Sequence, residues 1–419
     1  MSEAVAHVPV MTADDVPLKV KLSRATRRSR IRAFLLVVPL LAFILATFLL
    51  PIGDMLFRSV ENKRLIEIFP QTIPLLEQWD GQGLPDETVF ATFAEELTLR
   101  RKDKTVGRAA ARLNYEKAGM RSLITMTARK ISGVKQGPFK EAFLKIDERW
   151  GERETWATIK LYSTPYTLGY YLAAMDMRYD ADGDIVMRPE EQRIYIQMFV
   201  KTLWISLLVT VFCLVLGYPV AYLLATLPVS RSNLLMILVL LPFWTSLLVR
   251  TTTWIVLLQS NGVINDILVW VGIIADENRI RMIYNQTGTL IAMTQILLPF
   301  MILPLYSVMK TISPASSRAA QSLGANPFTA FRRIYLPQTI PGVGAGSLLV
   351  FILSIGYYIT PALVGGASGQ MISNFIAFHM KKSLNWGLAA ALGAILLAGV
   401  LILYWLYDRF VGIDKMKLG

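Results

Sequence analysis

Several stretches of this chain are too long and too apolar to belong to a water-soluble core. Residues 33–50, 202–227, 289–308, 343–364 and 386–407 carry no charged side chain. A hydrocarbon layer of about 30 Å takes about 20 helical residues to cross, and these runs have that length. A further run, 234–249, is shorter and meets Arg250, so it either spans briefly or continues through the arginine to Leu258. Lipid offers no hydrogen-bond partner to a bare backbone, so runs of this length select the helix. The chain therefore reads as an all-α polytopic membrane protein with six transmembrane helices.

Residues 58–195, between the first two runs, are different: no spanning run, and acidic and basic side chains in near balance. The formal net charge of +13 then sits almost wholly around the apolar runs. Basic flanks on apolar runs are an orientation signal, which sets aside the nucleic-acid partner that so basic a chain first suggests. The run at 33–50 exceeds the ~7–15 apolar residues of a secretory leader and no small-x-small cleavage pattern follows, so it reads as a retained anchor.

This gives a map. Residues 1–32, with basic positions from Lys19 to Arg32, are expected as a disordered cytoplasmic tail, and 33–57 as the first helix. The insert 58–195 falls outside, mainly helical, and the membrane core covers 196–409 with a cytoplasmic loop at 310–340; residues 410–419 form a cytoplasmic tail. Arg231, Lys310, Arg318, Arg332, Arg333, Arg409, Lys415 and Lys417 then lie inside, against Arg279, Arg281, Lys381 and Lys382 outside, as the positive-inside rule asks. Within the insert, helices are expected over 86–101 and 119–130, while 155–171 is aromatic and tolerant of strand. Asp180, Asp182, Asp184 and Glu191 occupy positions 1, 3, 5 and 12 of a calcium-loop pattern, but Ile185 stands where the sharp turn wants glycine and Pro189 interrupts it. A solvated acidic turn is the better reading. The single cysteine, Cys213, builds neither a disulfide framework nor a zinc site.

The loop from Ser313 to Pro337 is a polar island full of helix punctuation. Ser313 before Pro314 reads as a cap followed by a first helical residue, and Gly324 suits the left-handed corner that ends the helix. Asn326 and Pro327 repeat the start signal for a second helix, expected to stop near Pro337. Ala315, Ala319 and Leu323, at spacings of four, form a small-residue stripe suited to a groove on another protein.

Ala319, Ala320, Gly324, Ile334, Leu336 and Pro337 stand at offsets similar to those of the cytoplasmic loop in permease subunits of binding-protein-dependent ABC importers. The family pattern is Glu-Ala-Ala, three residues, Gly, nine residues, Ile-x-Leu-Pro; Arg318 replaces its glutamate. The resemblance implies that Arg318, Ala319, Ala320, Leu323, Gly324, Ile334, Leu336 and Pro337 couple the chain to a separate ATP-binding cassette ATPase. It also implies a second permease subunit and a periplasmic solute-binding protein as partners, in the bacterial inner membrane. Leu241, Pro242, Phe243, Trp244, Thr245 and Ser246, with Arg250, Trp254, Asn261, Gly262 and Asn265, resemble the B-type permeases of the family's spermidine/putrescine group, which makes a polyamine the leading substrate. The resemblance covers residues 197–415 and the first helix, and leaves the insert unaccounted for.

Polar residues inside the spans are the other candidates. Arg250, about 24 Å along a straight third span at ~1.5 Å per residue, is expected near the outer interface, snorkelling or touching substrate. Gln295 suits a helix-to-helix hydrogen bond or a substrate contact. Trp244 and Tyr357, with Phe243 and Tyr358, would suit an organic cation through cation–π contact, or simply pack. Gly342 and Gly346 give a Gly-x-x-x-Gly spacing for close helix packing. The last five spans hold no Asp or Glu, unlike many ion-coupled carriers, and no phosphate-binding loop occurs. His379, expected in an outer loop, has no evident partner, and no catalytic constellation or cofactor site emerges. The readings that remain beside the importer subunit are a membrane-anchored sensor with a ligand-binding outer domain and an ion-coupled carrier.

Overall fold

The computed structural model describes residues 18–134 and 136–411. Residues 1–17 and 412–419, the ends of the two expected tails, lie outside the described residues. From Leu18 onward the chain is helical: α1 (Leu18–Ile44) passes through a π-helical turn at Leu45–Leu49 into α2 (Leu50–Arg58). The basic stretch before the first apolar run is thus helix, not loose tail, because lysine and arginine extend a helix readily once the apolar run has nucleated it. Thr26–Arg58 is long and apolar enough to cross a membrane. Among the described residues, those up to Arg58 form one compact unit and those from Ser59 onward a second.

The second unit opens with a helical insert. Its elements are α3 (Arg64–Ile68), α4 (Thr72–Gln78), α5 (Glu87–Lys102), α6 (Val106–Asn114), α7 (Met120–Lys130), α8 (Phe139–Ile146), α9 (Arg153–Leu161) and α10 (Gly169–Ala174). The expected helices over 86–101 and 119–130 are α5 and α7. The aromatic stretch 155–171 folds largely as helix, not strand, because its large side chains enter a core that a helical face presents better. Val89, Phe90, Phe93, Ala94 and Leu97 turn one face of α5 into that core, where Phe90 meets Trp156 edge-on at 4.6 Å and Phe93 meets Trp150 at 5.6 Å. Both indole N–H groups are satisfied, Trp150 donating to Thr127 Oγ1 and Trp156 to the Trp150 carbonyl. The buried Glu96 carboxylate accepts from Gln71 N, Thr72 N and Thr72 Oγ1, neutralising the exposed N–H groups at the start of α4.

A two-stranded hairpin, β1 (Met177–Tyr179) and β2 (Ile185–Met187), pairs antiparallel with Arg178 opposite Val186. Asp180 Oδ1 closes its turn by accepting from Asp182 N and Asp184 N, Gly183 takes φ +88°, and Asp182 pairs with Arg153. Glu191 lies beyond, in a 3₁₀ turn, Glu190–Gln192.

The membrane core comprises α11 (Tyr195–Thr226), α12 (Val229–Leu240), α13 (Leu247–Leu258), α14 (Val263–Trp270), α15 (Gln286–Thr311), α16 (Pro314–Ser322), α17 (Pro327–Ala330), α18 (Leu336–Gly356), α19 (Ile359–Val364), α20 (Ile372–Lys381) and α21 (Trp386–Val411). Among the described residues five helices are long and apolar enough to span, or six if one bent pair counts as a single span. The pair is the third expected run: Val229–Trp244 and Leu247–Trp270 meet at 96°. Pro242 cannot continue a ladder of N–H donors, and Ser246 Oγ accepts from Val249 N at 3.2 Å, restarting the helix in a new direction. The fifth run departs from expectation at both ends. Its helix starts inside the loop, and it breaks after Gly356 before resuming as α19, so that Val364 is not on the same straight helix.

Packing among α11, α15 and α18 depends on small residues. A Cβ on Gly346 would come 2.8 Å from Met301 Sδ and 3.2 Å from its carbonyl oxygen; one on Gly342 would meet Val308 at 3.0 Å. The Gly-x-x-x-Gly pair therefore packs closely, as its spacing anticipated.

The insert grips this core. Asp176, fully buried with φ +56°, accepts from Ile194, Tyr195 and Ile196 N–H and so caps α11. Tyr170, Ala173 and Ala174 of α10 pack with Leu388, Ala391 and Leu392 of α21. His379 is buried, bonding Tyr195 Oη at 2.9 Å and Ser383 Oγ at 2.8 Å, so the histidine that lacked a partner in the sequence has two. Its neighbour Tyr195 lies far away in sequence, beyond the reach of any local pattern.

Candidate functional site

The loop after α15 forms as its caps demand. Ser313 Oγ accepts from Ala315 N at 3.3 Å with Pro314 at the first helical position of α16, and Gly324 adopts φ +89°. Asn326 Oδ1 then accepts from Thr329 N at 2.7 Å, and α17 begins at Pro327. The second helix does not stop near Pro337. It runs through a π-helical turn, Phe331–Tyr335, directly into α18. A proline inside an α-helix removes one donor and crowds the carbonyl four residues back; the wider π turn placed just before Pro337 relieves both. The loop is thereby fused to a membrane helix, and Ile334, Leu336 and Pro337 lie along that joint.

The corner projects apolar side chains outward. Leu323 is 89% exposed and Phe328 70% exposed, while Ala315, Ala319 and Arg318 are also on the surface. Ala320 is half-buried. Among the described residues Arg318 has no ion-pair partner. Phe328 escaped the sequence reading because it falls outside the four-residue stripe; the Asn326-Pro327 cap that precedes it was the available signal, since it fixes the first turn of α17 at the surface.

The span candidates do not form one site. Trp244 ends a 3₁₀ turn and is 77% exposed, at the break between α12 and α13. Arg250 lies four residues beyond the cap of α13, so the straight-helix distance along the third span does not apply to it. Its Nε is buried without a bonded partner, and its guanidinium lies within electrostatic range of the Tyr357 hydroxyl. Tyr357 sits at the break after α18. Gln295 Oε1 accepts from Trp254 Nε1 at 3.2 Å, tying α15 to α13. The same glutamine lines a cleft of about 390 Å³ with Leu223, Pro242 and Pro299. Phe243 is used in packing, edge-on to Phe300 at 5.2 Å, whereas the Tyr358 ring already carries the Lys381 ammonium 5.3 Å away.

The model of the family described as binding-protein-dependent transport system inner membrane component matches residues 200–412. The chain belongs to this family. The match begins within α11 and takes in every later helix, and does not extend to α1, α2 or the insert. The spermidine/putrescine transport system permease protein PotB of Escherichia coli K12 is 35% identical over 228 residues, 54% of this chain and 82% of that one. PotB of Haemophilus influenzae is 37% identical over 211 residues, 50% of this chain and 73% of its own. A chain in the crystal structure of a bacterial alginate ABC transporter is 18% identical, with TM-score 0.44, covering 54% of this chain and 81% of that one. Membership makes the chain a multi-pass inner-membrane transport subunit of the permease type.

Proposed function

We propose that this chain is the membrane-spanning permease of a polyamine ABC importer, with its N-terminus and the α16–α17 corner in the cytoplasm and the insert outside. What carries the reading is the family match together with the corner itself: a doubly capped turn with Leu323 and Phe328 exposed, rigidly continuous with α18. Such a corner suits a groove on an ATPase better than it suits water. Arg318, Ala319, Ala320, Leu323 and Gly324 would contact the ATPase, and Ile334, Leu336 and Pro337 would carry its movement into α18. Closure of an ATPase pair would then swing α18 against α11 and α15. A second permease subunit completes the passage, and a solute-binding protein on the insert's side delivers substrate. Six spans, with the broken α12–α13 pair as the third, satisfy this orientation.

In the passage, Trp244 and Tyr357 offer aromatic faces to an alkylammonium chain. Arg250, within electrostatic range of Tyr357, and Gln295, inside α15, would add polar groups along the same passage. With no carboxylate in the last five spans, a polyamine would be held there only weakly, as suits a conduit fed by a tighter carrier.

The test is uptake of labelled spermidine into cells or vesicles, paired with affinity purification from mild detergent, for the native chain and Gly324→Asp. At φ +89° an added side chain strains the corner, and nothing within 4 Å would otherwise oppose it. An ATPase and a second permease are expected with the native chain, and Gly324→Asp should lose the ATPase and the uptake while keeping the second permease. Retention of the ATPase by the variant would place coupling elsewhere.

A further inference from the structure

Beneath the insert is a cleft of about 380 Å³ lined by Arg64 and Glu67 of α3, Thr105 and Arg108 at the start of α6, and Leu384 and Trp386 at the start of α21. We propose that it binds the headgroup of an anionic phospholipid, in the leaflet on the insert's side of the membrane.

Placement is the first argument. Trp386 opens a helix long enough to span, and Arg64 follows Arg58, the last residue of another, by six positions in sequence. Trp386 is 43% exposed, and tryptophan at the end of a span marks the headgroup level. A cleft with Trp386 in its wall opens at that level. Charge is the second. Arg64 and Arg108 are exposed, and among the described residues neither side chain makes an ion pair or a hydrogen bond, although the side chains of most other arginines of the insert do. Glu67 leaves the cleft with a net positive charge, enough for one phosphodiester held by two guanidinium forks. Shape is the third. Leu384, 56% exposed with φ +55°, stands beside Trp386 and gives an apolar wall where a lipid's glycerol and upper acyl carbons would lie. A free phosphate would use the arginines and leave that wall wet; a phospholipid uses both.

The site joins three elements, two in the insert and one in the core. A bound lipid would therefore brace the insert against α21, near the contact where Tyr115 Oη donates to the Ser383 carbonyl at 2.8 Å. This proposal does not depend on the substrate carried.

Native mass spectrometry of the full chain with its co-purifying subunits, titrated with phosphatidylglycerol, tests it. Arg64→Ala combined with Arg108→Ala should weaken the tightest phosphatidylglycerol adduct about thirtyfold, from roughly fivefold per arginine near a membrane surface. Arg64→Lys with Arg108→Lys should restore most of it, and phosphatidylcholine should not compete. Arg121→Ala, an exposed arginine elsewhere on the insert, should leave the adduct unchanged, and thermal melting of the double variant in phosphatidylcholine should match the native chain. Equal phosphatidylglycerol retention by the double alanine variant would overturn the proposal. So would displacement of the lipid by millimolar inorganic phosphate, which would make the cleft a site for soluble anions.

Discussion

Residues 59–194 hide tryptophans, phenylalanines and an ion pair at their centre, whereas α11, α15 and α18 meet through aliphatic and methionine side chains such as Val209, Leu297 and Met301, with glycines at the points of closest approach. The contrast follows from the solvent each is built for. In water, burying large aromatic surface is favourable in itself, and the insert collects Phe90, Phe93, Phe143, Trp150 and Trp156 in one cluster. In lipid, an outward leucine is as comfortable as a buried one, so helices gain by letting backbones approach, and small residues do that. Leu203, Leu207, Val211 and Val215 on α11 accordingly face outward. The insert is a water-built domain seated on a lipid-built one, and Asp176, Tyr170 and His379 are the points at which they are joined.

The sharpest way to break the insert half of this comparison is Arg112. It is 1% exposed, donates to Asn62 Oδ1 at 2.9 Å, pairs with Glu116 at 2.5 Å, and lies 4.5 Å from the centre of the Tyr170 ring. Arg112→Met takes away the close partner of the buried Glu116 carboxylate, leaving it only Arg188 at 3.7 Å, and is expected to destabilise the insert by about 3 kcal/mol, the low end for breaking a buried pair. Limited proteolysis should then cut within residues 59–194 while the core stays intact. Adding Glu116→Gln should recover part of the loss. A single variant as protease-resistant as the native chain would mean that the pair is not what organises this centre.

The core half is tested by size. Gly346→Ala places a methyl against the Met301 carbonyl, which cannot retreat without shifting α15, and should cost about 1–3 kcal/mol. Gly399→Ala on α21 meets nothing within 4 Å and should be near neutral. Thermal melting in detergent distinguishes them; equal melting would mean that α15 and α18 approach less closely than these contacts require.

What the sequence made legible divides along local and tertiary lines. Ser313, Gly324 and Asn326 announced the corner because capping is decided by neighbours within four residues, and the span lengths were legible because lipid thickness sets them. The break at Thr245 and Ser246 was masked: the apolar run continues on both sides, and only Pro242 and the Ser246 cap mark the change of direction. Pro337 misled for the opposite reason, as a true helix breaker whose effect a π turn absorbs. Arg112 and His379 gave no local sign of burial, since Asn62, Tyr162, Tyr170 and Tyr195 reach them from distant parts of the chain. For the same reason the path candidates Trp244, Arg250, Gln295 and Tyr357 were individually visible but not assembled.

The last expected effect, seen only on acidification, concerns the joint between the two halves. Burial pushes the His379 imidazole down to about 4 from its ordinary value near 6.5, in α20, outside the membrane-length helices. Between those values the unfolded chain binds a proton that the folded chain refuses, so stability rises with pH across that window. The contribution is fully present above about pH 6.5, declines as pH falls toward 4, and changes no further below it. Melting of the native chain should therefore drop more steeply over this interval than that of His379→Gln, which keeps a hydrogen-bonding side chain but has nothing to protonate. Because His379 touches Tyr195 at the head of α11 and Ser383 beside α21, the loss should appear first as loosening of the insert from the core, read as faster hydrogen exchange at 194–198 and 383–388. If the two pH profiles coincide, protonation of His379 is not what loosens the joint in acid.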